Sequence, residues 1–215
     1  KRRNKIAKKI GVFHQDFEAQ YQTTTDFVSR MFENNLRDIE PYWVCLPMGS
    51  RCAVSNYQMY WYPWDPDKEE LWVRPMPKMP YIINMDNNPF DFYRYKMVQE
   101  DLYAEFGEWY SRQKKGKTIC LLGIRADESL NRYRAYANDR KTIMQGNQWT
   151  TKMGENWWNA YPIYDWTTKD VWIANGKFDY DYNRIYDLFW KAGLSISQMR
   201  VASPYHESAK ESLNL

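Results

Sequence analysis

The sequence predicts an α/β protein with a mostly parallel sheet flanked by helices, and three observations predict it. Short apolar runs at 10–14, 42–46 and 118–124 alternate with stretches whose apolar residues recur at helical spacing. Each run closes on a glycine, proline or polar group, as strands entering loops do. Aromatic residues make up 18% of the 215 residues, with eleven tryptophans and eighteen tyrosines, enough to build a core that a disordered chain lacks.

Taken in order, Ile10-Gly11-Val12-Phe13-His14 is a strand that ends in Gln15-Asp16. Over 23–36, Phe27, Val28, Met31, Phe32 and Leu36 form one apolar helix face. Tyr42-Trp43-Val44-Cys45-Leu46 is the next strand, closed by Pro47 and Gly49-Ser50. This β–α–β rhythm favours parallel pairing. From 52 to 94 the rhythm breaks. Pro63, Pro66, Pro75, Pro77, Pro80 and Pro89 exclude a long helix or a central strand there. Tyr57, Tyr60, Trp61, Tyr62, Trp64 and Trp72 make it an ordered insertion, of the kind that serves as a lid or binding loop.

A helix follows over 95–114, with Val98, Leu102, Phe106, Trp109 and Tyr110 on one face and Lys114-Lys115-Gly116 as its stop. The run 118–124 reads as a buried strand, 138–155 as irregular, and 161–164 as a strand with Pro162 near its start. Thr167-x-x-Asp170 is a capping-box pattern that opens a helix. Another helix covers 183–191 and stops at Gly193, and Ser195-x-x-Gln198 reads as one more helix start.

The net charge of +3 announces neither a nucleic acid nor a membrane surface as partner. No apolar run approaches membrane-spanning length. Cys45, Cys52 and Cys120 lack CxxC spacing and only two histidines accompany them, so the pattern supports neither a zinc site nor an iron–sulfur cluster. Reduced thiols in a cytoplasmic protein are the expectation. Six of the first nine residues are basic, which suits either a nucleic-acid backbone or a solvated helix face. The chain opens at Lys1 without a methionine, and the expectation is a single domain over 1–215 that lacks its first strand.

Chemistry is expected where strands end. Parallel strands joined by right-handed crossovers send their C-termini to one edge, and ligands bind in the crevice beyond it. His14-Gln15-Asp16, Gly49-Ser50-Arg51, the segment from Gly123 to Arg132, and Asp165-Trp166 are expected to meet there. Arg125 and Arg132 suit a phosphate or sulfate, because guanidinium presents a planar fork of donors. Ser129 and helix-start amides add neutral donors. Asp127 and Glu128 would orient the arginines, cap a helix, or hold Mg²⁺ through water. The competing reading is an ordinary acidic helix start with solvated arginines.

Gly123-Ile124-Arg125-Ala126-Asp127-Glu128-Ser129-x-x-Arg132, followed by Tyr161-Pro162-Ile163-Tyr164-Asp165-Trp166-Thr167-x-x-Asp170-Val171-Trp172, resembles the phosphoadenosine phosphosulfate (PAPS) reductase family. The likeness is to its bacterial and phage PAPS reductase-like branch. It continues through Tyr182-Asn183-Arg184-Ile185-Tyr186-Asp187-Leu188 with Ala192-Gly193, and upstream through the segment from Val12 to Tyr21. The resemblance implies a Rossmann-like, adenine nucleotide α-hydrolase-like fold that binds ATP or a PAPS-like sulfonucleotide. Gly123 and Ile124 would lie against adenine. Arg125, Ser129 and Arg132 would face phosphate or sulfate, and Gln15 and Asp16 would sit near the nucleotide. Adenylyl- or sulfur-transfer chemistry is then the expectation for the enzyme in its complete form. The family's Ser-Gly-Gly-Lys-Asp-Ser loop and its C-terminal nucleophilic cysteine are not among these residues. The alternative is therefore a non-catalytic nucleotide- or nucleic-acid-associated regulator acting with a ParB-like partner.

Overall fold

A computed structural model describes residues 8–52 and 56–201. The chain forms two compact units: unit 1 runs to Gln99 and resumes at Asp181, and unit 2 is Glu100–Tyr180.

In unit 1, β1 (Ile10–Gln15) lies parallel to β2 (Ile39–Val44), with Ile10 opposite Ile39 and Gln15 opposite Val44. The connection carries α1 (Gln22–Glu33). That helix stops short of Leu36 because Asn35 turns back on it, its Nδ2 donating to Met31 O at 2.7 Å. Beyond β2, β3 (Ser50–Arg51) and β4 (Tyr60–Trp61) form an antiparallel ribbon. Two isoleucines of the proline-rich stretch, β5 (Ile82–Ile83), pair parallel with β2, giving the order β1-β2-β5. The prolines keep this stretch out of the sheet's middle but not off its edge.

Phe32, Trp43, Cys45, Trp64 and Ile82 form the core here, with Val12, Val28, Trp72 and Tyr81 packed against it. Trp64, Trp72 and Tyr81 of the 52–94 segment thus belong to the core, whereas Tyr57 is fully exposed. Burying a ring of this size contributes roughly 2–3 kcal/mol.

The chain enters unit 2 through α2 (Gln99–Lys114), which carries Glu100 and Asp101 in its first turn and Arg112 and Lys114 in its last. Both ends complement the helix dipole. Next come β6 (Thr118–Leu121), α3 (Leu130–Ala137), β7 (Thr150–Lys152), β8 (Trp157–Ala160) and α4 (Thr168–Phe178). The sheet order is β6-β8-β7, with β6 parallel to β8 and β7 antiparallel. Gly107 of α2 is held by close approach, since a Cβ there would lie 2.6 Å from the Trp157 indole.

Three expectations are corrected in this unit. The strand at 118–124 ends at Leu121 and is a half-exposed edge, with Leu121 67% exposed. The strand placed at 161–164 lies instead at Trp157–Ala160, and Tyr164 N–H closes a turn on Tyr161 O at 3.2 Å. Pro162 cannot donate to a ladder, so the chain turns where the proline stands. The stretch called irregular contains β7, which is too short to leave a periodic signature.

The chain returns to unit 1 with α5 (Ile185–Lys191), fastened by Arg30 to Asp181 at 3.0 Å and by Asn183 Nδ2 to Thr24 Oγ1 at 2.8 Å. Gly193 follows at φ 81°, a left-handed turn that favours glycine. The Ser195–Gln198 side-chain bond forms at 2.7 Å, yet only a turn accompanies it and no helix follows among the described residues. The first seven residues of the basic run lie outside the described residues. No described helix is long and apolar enough to cross a membrane.

Candidate functional site

In unit 2 the ends of β6 and β8 meet. Leu122 N–H donates to Ala160 O at 2.9 Å, and Ala126 N–H to Tyr164 O at 2.8 Å, so the two segments leave the sheet side by side. Tyr136 of α3 stacks on Tyr164 with ring centroids 4.1 Å apart, and Lys141 Nζ donates to Tyr136 O at 2.6 Å and to Gln148 O at 2.5 Å. These contacts fix the loops that carry the charged residues.

Arg125 is the centre of the cluster. Its side chain is only 12% exposed, and its guanidinium reaches Thr168 Oγ1 at 3.2 Å, Asp127 at 3.5 Å and Glu128 at 3.3 Å. Glu128 also pairs with Arg132, whose side chain is 49% exposed. Asp127 and Glu128 therefore orient the two arginines. Ser129 caps α3 by accepting Arg132 N–H at 3.3 Å, and Thr167 with Asp170 caps α4 as the capping-box pattern predicts. Two helix starts and two arginines thus stand at the carboxyl end of one parallel strand pair. Gly123 and Ile124, between strand and cluster, have no backbone hydrogen bond among the described residues. Asp165 is exposed and Trp166 half-buried just before α4, whose N-cap is Thr167. Among the described residues no group of three or more His, Cys, Asp or Glu is placed to hold a metal.

In unit 1 the end of β1 is different. Asp16 is fully buried, and its carboxylate accepts from Arg74 at 2.6 Å, from Trp43 Nε1 at 2.9 Å and from Glu18 N–H at 2.8 Å. Glu18, held at φ 60°, accepts Trp64 N–H and Val73 N–H, each at 2.8 Å. Burial pushes the Glu18 carboxyl up to about 7, although those two N–H groups and Arg74 favour its charge. Burial drives the His14 imidazole down to about 4 despite Asp16 beside it. It also raises the Cys45 thiol well above its ordinary range, so Cys45 is not a thiolate nucleophile.

Gln15 is 5% exposed, and neither amide atom has a partner in the described residues. Ser50 is buried and donates to Gln99 Oε1 at 3.0 Å. Sequence reasoning did not single out Glu18 or Arg74. Both lie on segments without periodicity, and the one available signal was an arginine set among prolines and aromatics.

The chain is 35% identical over 211 residues to a protein of Escherichia coli (strain K12) described as "Uncharacterized protein YbdN", an alignment that takes in 97% of this chain. The chain spans 50% of that relative's length. No protein-family model matches the chain. No solved structure matches it either.

Proposed function

We propose that the chain is a PAPS reductase-like, adenine-nucleotide-binding protein with a Rossmann-like core, and that the Arg125 cluster receives the anionic end of the nucleotide. The observation that carries this reading is the meeting of Arg125 and Arg132 with the starts of α3 and α4 at the carboxyl ends of β6 and β8. Ligands of open α/β sheets bind at that place. Helix starts and guanidinium forks both favour phosphate or sulfate oxygens. The unpaired backbone of Gly123 and Ile124 offers adenine an edge to hydrogen-bond. Asp127 and Glu128 hold the arginines in place until the anion takes over one of their contacts, and Mg²⁺ accompanying a triphosphate would meet the same carboxylates.

The chemistry that fits such a site is adenylyl or sulfur transfer, in which the arginines stabilise charge that builds on the transferred group. Calorimetric titration of the chain and of Arg125→Ala with ATP and with PAPS tests the assignment. Arg125→Ala should bind about tenfold or more weakly. Equal affinity of the two proteins removes the role from Arg125. Salt-dependent DNA binding without any nucleotide binding would favour the regulator reading instead.

A further inference from the structure

A cavity of about 120 Å³ opens in unit 1, on residues that the nucleotide reading does not use. Tyr60, Trp61, Tyr62 and Trp72 wall it, and Glu18 and Asp65 supply its carboxylates. The walls are held by contacts of the protein's own. Tyr60 and Trp61 belong to the β3–β4 ribbon, and Trp72 donates its Nε1 to Asp65 O at 3.0 Å while its ring meets Trp64 edge-on at 5.1 Å. Glu18 is pinned as firmly, because its two oxygens take the N–H groups at both ends of the 64–73 loop. A carboxylate has about four lone-pair positions, so two bonds leave it able to accept more.

Charge and size narrow the occupant. Aromatic faces carry negative quadrupole density and attract cations. This wall already holds one: Lys96 Nζ lies 5.4 Å from the Tyr62 ring centroid and 2.8 Å from Asp65. With Asp65 paired to Lys96, Glu18 is the carboxylate left to face a second cation, and it carries its charge above about pH 7. Among the described residues Lys68 is the only basic one in the lining, and it is exposed. An anion would meet ring faces and a carboxylate, and a cavity of this size takes a head group in place of a whole nucleotide.

We infer that this pocket binds a small organic cation, an ammonium or guanidinium head group, held between the aromatic walls and Glu18. This site is independent of the Arg125 cluster.

The test follows the indole N–H signals of Trp61 and Trp72 by NMR on the whole chain at about pH 8, where Glu18 is ionised, titrated with choline, agmatine, the neutral choline isostere 3,3-dimethylbutanol, and ATP. At least one of the two cations should shift both signals in a saturable way, with 3,3-dimethylbutanol about tenfold weaker than choline wherever choline binds. Tyr60→Leu should weaken cation binding severalfold, and Lys68→Glu, a change at an exposed position, should strengthen it. The isostere binding as well as choline, ATP shifting the same signals more strongly than the cations, or neither cation shifting them would each overturn the proposal. A Lys68→Glu chain that binds cations no better than the parent would overturn the placement.

Discussion

The two units each gather arginine and carboxylates at the end of a β-strand, but to different ends. In unit 1 the Asp16–Arg74 pair is sealed: Asp16 is fully buried, and Arg74, the Trp43 indole and the Glu18 N–H all donate to its carboxylate. In unit 2 the Arg125–Glu128–Arg132 chain reaches the surface, with the Arg132 side chain half exposed. Near-identical chemistry is sealed in one place and open to solvent in the other. What differs is solvent access, since a buried ion pair is kept by its partners whereas an exposed one exchanges readily with water or an incoming anion.

Removing the arginine from the sealed cluster should be the sharpest way to break this contrast. Arg74→Met strands Asp16 as an unpaired buried charge and should cost roughly 3–5 kcal/mol, read from urea denaturation. A loss below about 1 kcal/mol would place the unit 1 pair in the same class as the unit 2 pair.

Acidity offers a second test, about as large but hidden. The depressed His14 contributes stability above its ordinary 6.5 that is lost as pH falls towards about 4. The raised Glu18 does the opposite: its contribution is complete below 4.5 and is lost as pH rises through about 7. Each amounts to roughly 3 kcal/mol, so over nearly the same window they offset one another. In Glu18→Gln only the His14 effect is left, and stability should fall by roughly 3 kcal/mol relative to the parent between pH 6.5 and 4. Parallel pH profiles for the two proteins would show that Glu18 does not titrate in this range.

The smallest expected stability effect belongs to the open cluster. Glu128→Gln should cost under about 1 kcal/mol, because its bond to Arg132 is partly solvated. The same change removes the charge that holds Arg132 and one of the two carboxylates on Arg125, and on the proposed reading it should tighten nucleotide binding severalfold in calorimetry. A large stability loss with no gain in affinity would make the cluster structural, like that of unit 1.

Much of the architecture was legible because it rests on local patterns. The core contacts of Val28 and Phe32 in α1 and the parallel pairing of β1 with β2 both follow from apolar spacing, although Met31, read onto the same face, is exposed. The Thr167–Asp170 cap follows from its local Thr-x-x-Asp pattern. Strand ends were less legible: Leu121 reads as buried by its composition, yet it lies on an edge. Edge and centre differ only in what pairs beside them, and local sequence does not record that. The Arg125 cluster was readable because its members sit within eight residues of one another. The Asp16–Glu18–Arg74 cluster was not, since its arginine lies 58 residues from Asp16.

Sequence alone determined the α/β class, the positions of α1, α2 and α4, and the charged segment after β6, since hydrophobic period and capping are written within a few residues. Tertiary structure decided the rest. It set which strands are edges, drew Ile82 and Ile83 into the sheet, and buried one acid–arginine pair while leaving the other at the surface. Burial and long-range pairing depend on how distant segments exclude water together, and no short stretch of residues carries that information.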